Sequence, residues 1–425
     1  MGEYQYIFNL AIILLSTKLL GLATQKFQMP QVVGALLAGL LIGPAVLGLV
    51  EETEFVRMTA EFGVIVLMFC AGMETDLNEM KKSGRASFII AVIGVIVPLI
   101  GGYFIAFVFN RPGMIESDAT GSLFLQNLFI GVILTATSVS ITVETLKELG
   151  KLKTRSGNAI LGAAIIDDVL GIIALTIITS MAGSDVQIST IFLKIIGFFV
   201  FCLIAGFAFN RFYVHWVVPT QNGLHRHVII AFVFCLFMAY IAEVVFGIAD
   251  ITGAFVAGVI ISSTQRTKYL ASKFDVISYA YLSPIFFASI GLQVTLPKMG
   301  GTVILFSVAL ILVAVFTKVI GCSFGGKICG YTNAECMRIG IGMISRGEVA
   351  LIVASKGASL GLMGSALLGP IVLVVIVTTI ITPILLKLAY KKGGNHPIPA
   401  TEGFSKPYEE LGAYRSGAIL KSKDA

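Results

Sequence analysis

The chain has 425 residues, of which 56% are hydrophobic and only 13% charged, with a mean hydropathy of +0.93 and a formal net charge of +6. No soluble domain of this size has that composition, and apolar runs of about 17–25 residues, the length that crosses a bilayer, recur throughout. The surplus of Lys and Arg is sorted by loop instead of gathered in a patch, which excludes nucleic acid as a partner and makes a lipid bilayer the expected surroundings.

The first segment, MGEYQYIFNLAIILLSTKLLGLA, has no basic leader and no small-residue cleavage pattern, so it reads as a span and not as a removable signal peptide. Polar and Gly/Pro-rich breaks then set thirteen expected spans, near 5–22, 30–49, 57–73, 87–109, 123–146, 157–181, 189–210, 227–246, 250–263, 274–292, 301–323, 335–356 and 364–388. The expected fold is an all-α polytopic membrane protein with about 13 transmembrane helices. With the N-terminus outside, inward loops hold 22 Lys and Arg and outward loops hold 4, which predicts N-out and C-in (cytoplasmic) topology in a cell membrane.

An internal repeat follows. QVVGALLAGLLIG (31–43) lies over DITGAFVAGVIIS (250–262) at an offset of 219, with Gly34/Gly253, Ala35/Ala254, Ala38/Ala257, Gly39/Gly258 and Ile42/Ile261 identical. The same offset carries FGVIVLMFCAGMETDL (62–77) onto YLSPIFFASIGLQVTL (281–296), matching Gly72 with Gly291 and Leu77 with Leu296. The paired spans are an odd number of crossings apart, so the halves are inverted, as in secondary transporters that bind substrate where two repeats meet at the midplane. The seventh span, with Lys194, is left over as a connector.

The fifth span carries Thr135, Thr137, Ser138, Ser140, Thr142 and Glu144 across an apolar pattern. Its counterpart, GMISRGEVALIVASKGASLG (342–361), aligns at an offset of 211 and sets Arg346-Gly347-Glu348 against Thr135-Ala136-Thr137. Both segments break at the same depth, which predicts two discontinuous helices crossing each other, their open carbonyls being ready ligands for a hard cation. The sixth span, AILGAAIIDDVLGIIALTIIT, holds Asp167 and Asp168 in mid-membrane, where each charge costs about 2.5–3.5 kcal/mol on insertion scales and marks an ion or proton path. Lys318, in the eleventh span, is expected to pair with Asp167 or Asp168 and so offset part of the acidic excess.

Other polar positions carry less. Glu243 and Asp250, and Glu74 and Asp76, lie near span ends where they attract cations or are simply solvated. His225 and His227 sit in an inward loop and titrate near neutrality. The six cysteines, Cys70, Cys202, Cys235, Cys322, Cys329 and Cys336, lack metal-ligand spacing, so neither a cofactor, a resident metal nor a disulfide is expected.

The motifs TATSVS (135–140), GAAIIDDVLG (162–171), the intramembrane Lys318, ISRGEVALIVA (344–354), PQVVGALLAGLLIGP (30–44) and ITGAFVAGVI (251–260) together resemble those of bacterial sodium–proton antiporters of the cation–proton antiporter superfamily, double-aspartate (NapA-like) branch. The resemblance covers nearly all of residues 1–390. It implies a homodimer in which 1–86 and 227–300 form a dimerisation domain and 87–181 and 301–390 a mobile core, with 182–226 as linker helix and loop. It also implies that Asp168 binds the cation and the protons while Asp167 pairs with Lys318. Thr137, Ser138 and nearby carbonyls would complete the shell of a transported Na+, Thr135 would support it, and Arg346 and Glu348 would steady the crossing. Relatives in the potassium-efflux branch carry a nucleotide-binding domain after the membrane part, for which the segment 391–425, expected to be a flexible tail, is too short.

A carboxylate removed from water is stable with either a cation or a proton on it, so the two compete for the same oxygens and the expected activity is exchange. Na+ (or Li+) against H+, without an enzymatic step, is the leading expectation, and the resemblance implies two protons per sodium and a voltage-sensitive cycle. Potassium or mixed monovalent exchange, an organic-anion symporter, and a non-transporting membrane sensor on the same scaffold remain alternatives.

Overall fold

The computed structural model describes residues 4–26, 29–75, 77–111, 113–115, 118–181, 188–212, 224–264, 267–294 and 299–391. Among these there are sixteen α-helices and no strand. The first three are α1 (Gln5–Lys26), α2 (Gln31–Ile42) and α3 (Glu54–Glu74), the last started by the Thr53 hydroxyl, which accepts from the Val56 N–H at 3.3 Å. Then come α4 (Leu77–Phe109), α5 (Leu123–Thr135), α6 (Val139–Glu148), α7 (Arg155–Met181) and α8 (Ile188–Phe212). The second half runs α9 (Leu224–Ile241), α10 (Asp250–Ser262), α11 (Thr267–Ile277), α12 (Ser283–Leu292) and α13 (Gly301–Ile328). It ends with α14 (Asn333–Gly342), α15 (Glu348–Ser359) and α16 (Leu368–Lys391). The start of α14 is a full capping box, Thr332 and Glu335 each accepting from the other's N–H.

Among the described residues ten helical stretches are long and apolar enough to cross a membrane, α5 with α6 counting as one and α11 with α12 as another. The second and ninth expected spans are the short helices α2 and α10, of 12 and 13 residues, and the twelfth is divided into α14 and α15. A 12-residue helix rises only about 18 Å, less than the hydrocarbon core of about 30 Å, so α2 and α10 are not among the ten stretches long enough to cross in the described residues. On α8 the apolar side chains point outward, Leu193, Leu203 and Phe207 being 72–77% exposed, as lipid-facing residues are.

The helices pack in two groups. In one, α4 lies against α5, α7 and α13, and α13 against α14 and α16; in the other, α3 lies on α10, α2 on α1 and α12, and α9 on α10. Between them α6 touches α2 and α3 on one side and α7 and α16 on the other.

The inverted repeat is visible in how these helices cross. A Cβ on Gly39 of α2 would collide with the Ala288 carbonyl of α12, and one on Gly291 would meet Leu36 of α2. At the same offset of 219, Gly258 of α10 meets the Phe69 carbonyl of α3, and Gly72 meets Phe255 of α10. One contact between the halves is thus made twice, with the two halves exchanging roles. Without a hydrophobic driving force between helices in lipid, close backbone approach at small residues is what holds such pairs, which explains why these glycines repeat.

Candidate ion-binding site

Two helices stop and restart in mid-chain, and their breaks cross. Residues 136–138 separate α5 from α6, and 343–347 separate α14 from α15. The strands of open backbone bind each other: the Ser138 N–H donates to the Ser345 carbonyl at 2.7 Å, and the Ser345 hydroxyl returns a bond to the Ser138 carbonyl at 2.8 Å. Thr142, one turn into α6, donates to the Gly342 carbonyl at 2.7 Å and lies 3.0 Å from the Ser345 hydroxyl. All three side chains are buried, so these bonds satisfy groups that could not face hydrocarbon alone.

Arg346 sits at the crossing with no exposed surface. Its Nη1 donates to the Ile344 carbonyl at 2.7 Å and its Nη2 to the Leu134 carbonyl at 2.5 Å, with the Ala314 carbonyl of α13 at 3.4 Å. Leu134 is in the last turn of α5 and Ile344 lies just past α14, so the guanidinium rests against two half-helix C-termini. Those ends carry the negative pole of the helix dipole, which favours a cation there. The Thr379 hydroxyl of α16 donates to the Arg346 carbonyl at 2.5 Å and fixes the loop from the other side. Glu348 begins α15; its side chain is outside the described residues.

Beside the crossing, α7 carries the two aspartates. Adjacent helical residues point about 100° apart, so they meet different surroundings. Asp167 is 2% exposed and receives the Lys318 ammonium of α13, with Nζ at 2.9 Å from Oδ1 and 3.2 Å from Oδ2. Lys318 itself is fully buried, which rules out snorkelling. The Thr137 hydroxyl also faces the Asp167 carboxylate, and Arg346 is near enough to act on it electrostatically. Asp168, the next residue, is half-buried. Thr135 back-bonds to the Val132 carbonyl at 2.7 Å, and Ser138 lies 3.2 Å from the Ser140 hydroxyl. The structure therefore brings together Asp167, Lys318, Thr137, Ser138, Ser345 and Arg346 where two half-helices begin and two end.

The remaining sequence candidates lie apart from this cluster. Asp250 accepts from the adjacent Ile251 N–H at 2.7 Å, Glu243 is exposed, and His227 is buried at the start of α9. Asp76 and the His225 side chain are outside the described residues. The six cysteines are single thiols.

A second cluster lies at the end of α6 away from the break; of its members only Glu74 stood out in the sequence. Lys147 Nζ lies 2.5 Å from Asp275 of α11 and 3.3 Å from Glu74 of α3. Glu148 accepts from the first amides of α2, Gln31 N–H at 2.8 Å and Val32 N–H at 3.3 Å. Pro30, at the N-cap of α2, has no side chain able to do this, so a residue from another helix group caps α2. The signal was the missing cap, readable in the Pro30-Gln31 start, but the partner is 117 residues away.

The geometry can be set beside known proteins. Residues 11–392 match the family model described as sodium/hydrogen exchanger, transmembrane. The chain is 41% identical over 389 residues to the Na(+)/H(+)-K(+) antiporter GerN of Bacillus cereus, covering 91% of this chain and 97% of that one. It is 34% identical over 399 residues to a Na(+)/H(+) antiporter of Enterococcus hirae, covering 91% and 99%. A solved structure of the sodium proton antiporter MjNhaP1 from Methanocaldococcus jannaschii superposes with a TM-score of 0.67 at 16% identity, over 92% of this chain and 99% of that one, and so shares the fold. Both the match along most of its length and these relatives place the chain in one group: it belongs to the transmembrane sodium/hydrogen exchanger family.

Proposed function

We propose that this protein exchanges Na+ for H+ across a membrane, with Asp168 as the carboxylate that carries either ion. The observation that supports this is the division of labour on α7: Asp167 is committed to the buried Lys318, while Asp168, one residue on, is half-buried and points about 100° away from that pair. Thr137 and Ser138 and the neighbouring carbonyls would supply further hard oxygen ligands to a sodium ion, a shell suited to a monovalent cation without a resident cofactor. Cation and proton cannot occupy the same carboxylate together, so release of one on each side of the membrane drives uptake of the other.

In this reading the group built on α4, α5, α7, α13, α14 and α16 is the mobile core (87–181 and 301–390). The group built on α1, α2, α3, α9, α10 and α12 is the fixed part (1–86 and 227–300), through which two copies pair as a homodimer. Residues 182–226 link them. The Lys- and Arg-rich loops face the cytoplasm, with the N-terminus outside. Lys318 gives up its proton during turnover and makes the cycle electrogenic.

The test is dequenching of a pH-sensitive dye in proteoliposomes with an imposed pH gradient, on adding sodium, for the native protein and for Asp168→Asn. Sodium-dependent dequenching lost in the variant is expected; no response in the native protein overturns the reading. The 41% identity to a relative named for potassium as well as sodium favours one second reading, mixed Na+ and K+ coupling. Potassium added in place of sodium gives a response in that case and none if the site is selective for sodium.

A further inference from the structure

We propose that Glu144 is a cation-capture station on the side of the 147–155 loop, where an incoming hydrated monovalent cation loses part of its water before passing along α6 to the exchange site. The inference rests on the reading of Asp168 as that site. It starts from a side chain that nothing else in the fold accounts for. Glu144 is 7% exposed, and its Oε2 has no hydrogen-bond partner among the described residues. A buried carboxylate oxygen without a donor is a large penalty that proteins accept where a ligand supplies the missing contact.

The carboxylate lines a cavity of about 350 Å³ between the two helix groups, whose walls include Glu148, Gln31, Ala35, Tyr279 and Phe287. At about 30 Å³ per water this space holds roughly ten waters, enough for a cation with most of its hydration shell. Its charges favour a cation. Lys18, on the same wall, has its ammonium 3.5 Å from the Tyr279 hydroxyl in an exposed position, and Glu148 is turned onto the α2 amides. Lys147 is held by Glu74 and Asp275. That leaves Glu144 as the lining carboxylate with a buried oxygen that no donor meets among the described residues, and apolar walls around it focus its field.

From Glu144 a polar stripe leads to the crossing. Ser140, Glu144 and Glu148 recur every four residues on one face of α6. The Ser140 hydroxyl lies 3.2 Å from that of Ser138, next to Thr137, which faces Asp167. One carboxylate and a few hydroxyls do not make a closed cage, so the station binds weakly and releases quickly, as a waypoint must.

The experiment is sodium-dependent exchange measured with Na+ offered at each face in turn, in everted and right-side-out membrane vesicles, for native protein, Glu144→Gln, Glu144→Asp and Asp168→Asn. Glu144→Gln is expected to raise KM for Na+ about tenfold at the face of the 147–155 loop and leave KM at the other face unmoved, since a focused charge concentrates counter-ions by that order. Glu144→Asp should recover part of the loss. Ala35→Leu, which fills the cavity while keeping the carboxylate, should raise the same one-sided KM. An unchanged KM in Glu144→Gln, or an equal rise at both faces, overturns the proposal while the loss of all exchange in Asp168→Asn leaves the exchange site standing. Full exchange in Asp168→Asn overturns the site and the station together.

Discussion

Replacing Lys318 by Met puts the central pair to a quantitative test. The ammonium and the Asp167 carboxylate are 0% and 1% exposed and share bonds of 2.9 and 3.2 Å. Met keeps the length of the stem and fills its space, so the change removes charge and hydrogen bonds and little volume. What remains beside Asp167 is the Thr137 hydroxyl and Arg346, whose two terminal nitrogens already serve the carbonyls of Ile344 and Leu134. Breaking a buried pair by removing one partner costs about 3–5 kcal/mol, whereas neutralising both partners is often close to neutral. Lys318→Met and Asp167→Asn are therefore each expected to destabilise by about 3–5 kcal/mol, and the double variant to fall within about 2 kcal/mol of the native protein. An unfolding entropy of about 2.1 cal/mol/K per residue over the whole chain turns each single change into a drop of about 3–6 °C in Tm. A thiol-reactive fluorophore reads this in detergent, because Cys70, Cys235, Cys322 and Cys336 are buried and become reactive only on unfolding. Rescue in the double variant is the signature of coupling. If the double variant falls by the sum of the singles, the two side chains do not stabilise each other and the argument from their geometry is wrong.

Further outcomes follow from other contacts. Gly39→Val should block the α2–α12 crossing, where any Cβ collides with the Ala288 carbonyl, and lower Tm by an amount equivalent to about 1–3 kcal/mol or abolish insertion; native-like yield and Tm would refute the close approach. Thr142→Val removes the bond to the Gly342 carbonyl and the contact with the Ser345 hydroxyl, and should cost about 1–3 kcal/mol by thermal unfolding, because buried polar groups are left unpaired; no change in Tm counts against the crossing as drawn. Lys147→Gln should loosen α6 from α3 and α11, with faster hydrogen exchange in Val139–Glu148 than in the native protein; equal protection would show that the ion pairs with Glu74 and Asp275 hold nothing. Glu52, in the loop before α3, is held above the usual carboxylate range by burial, against the lowering effect of the bond from Gln293 at 2.7 Å. The folded chain thus binds that proton more tightly than the unfolded one, so the group's contribution is present below its unfolded value and lost as pH rises through the raised folded value. Glu52→Gln should raise Tm at pH 8 and leave it unmoved at pH 4, and a fall at pH 8 would contradict the sign.

Composition and pattern along the chain were enough to fix the class of the molecule and the places where its chemistry concentrates. Hydrophobic runs in lipid admit only helices, because every backbone group must be satisfied within its own segment, so span positions were readable without contacts. The glycines at the 219 offset were readable as a repeat because close helix crossings demand small residues wherever they occur. Asp167, Asp168, Lys318 and Arg346 stood out because charge is rare and expensive inside a membrane. Which of these groups meet was set by how distant helices pack. That Asp167 and not Asp168 takes the ammonium depends on the rotation of α7 against α13, about 100° per residue, which no local pattern records. That Arg346 serves the ends of α5 and α14, that Glu148 caps α2, and that Glu144 opens into a cavity are contacts between helices joined by long stretches of chain. Local sequence sets which groups need a partner, and only the packing of distant helices settles which partner each one receives.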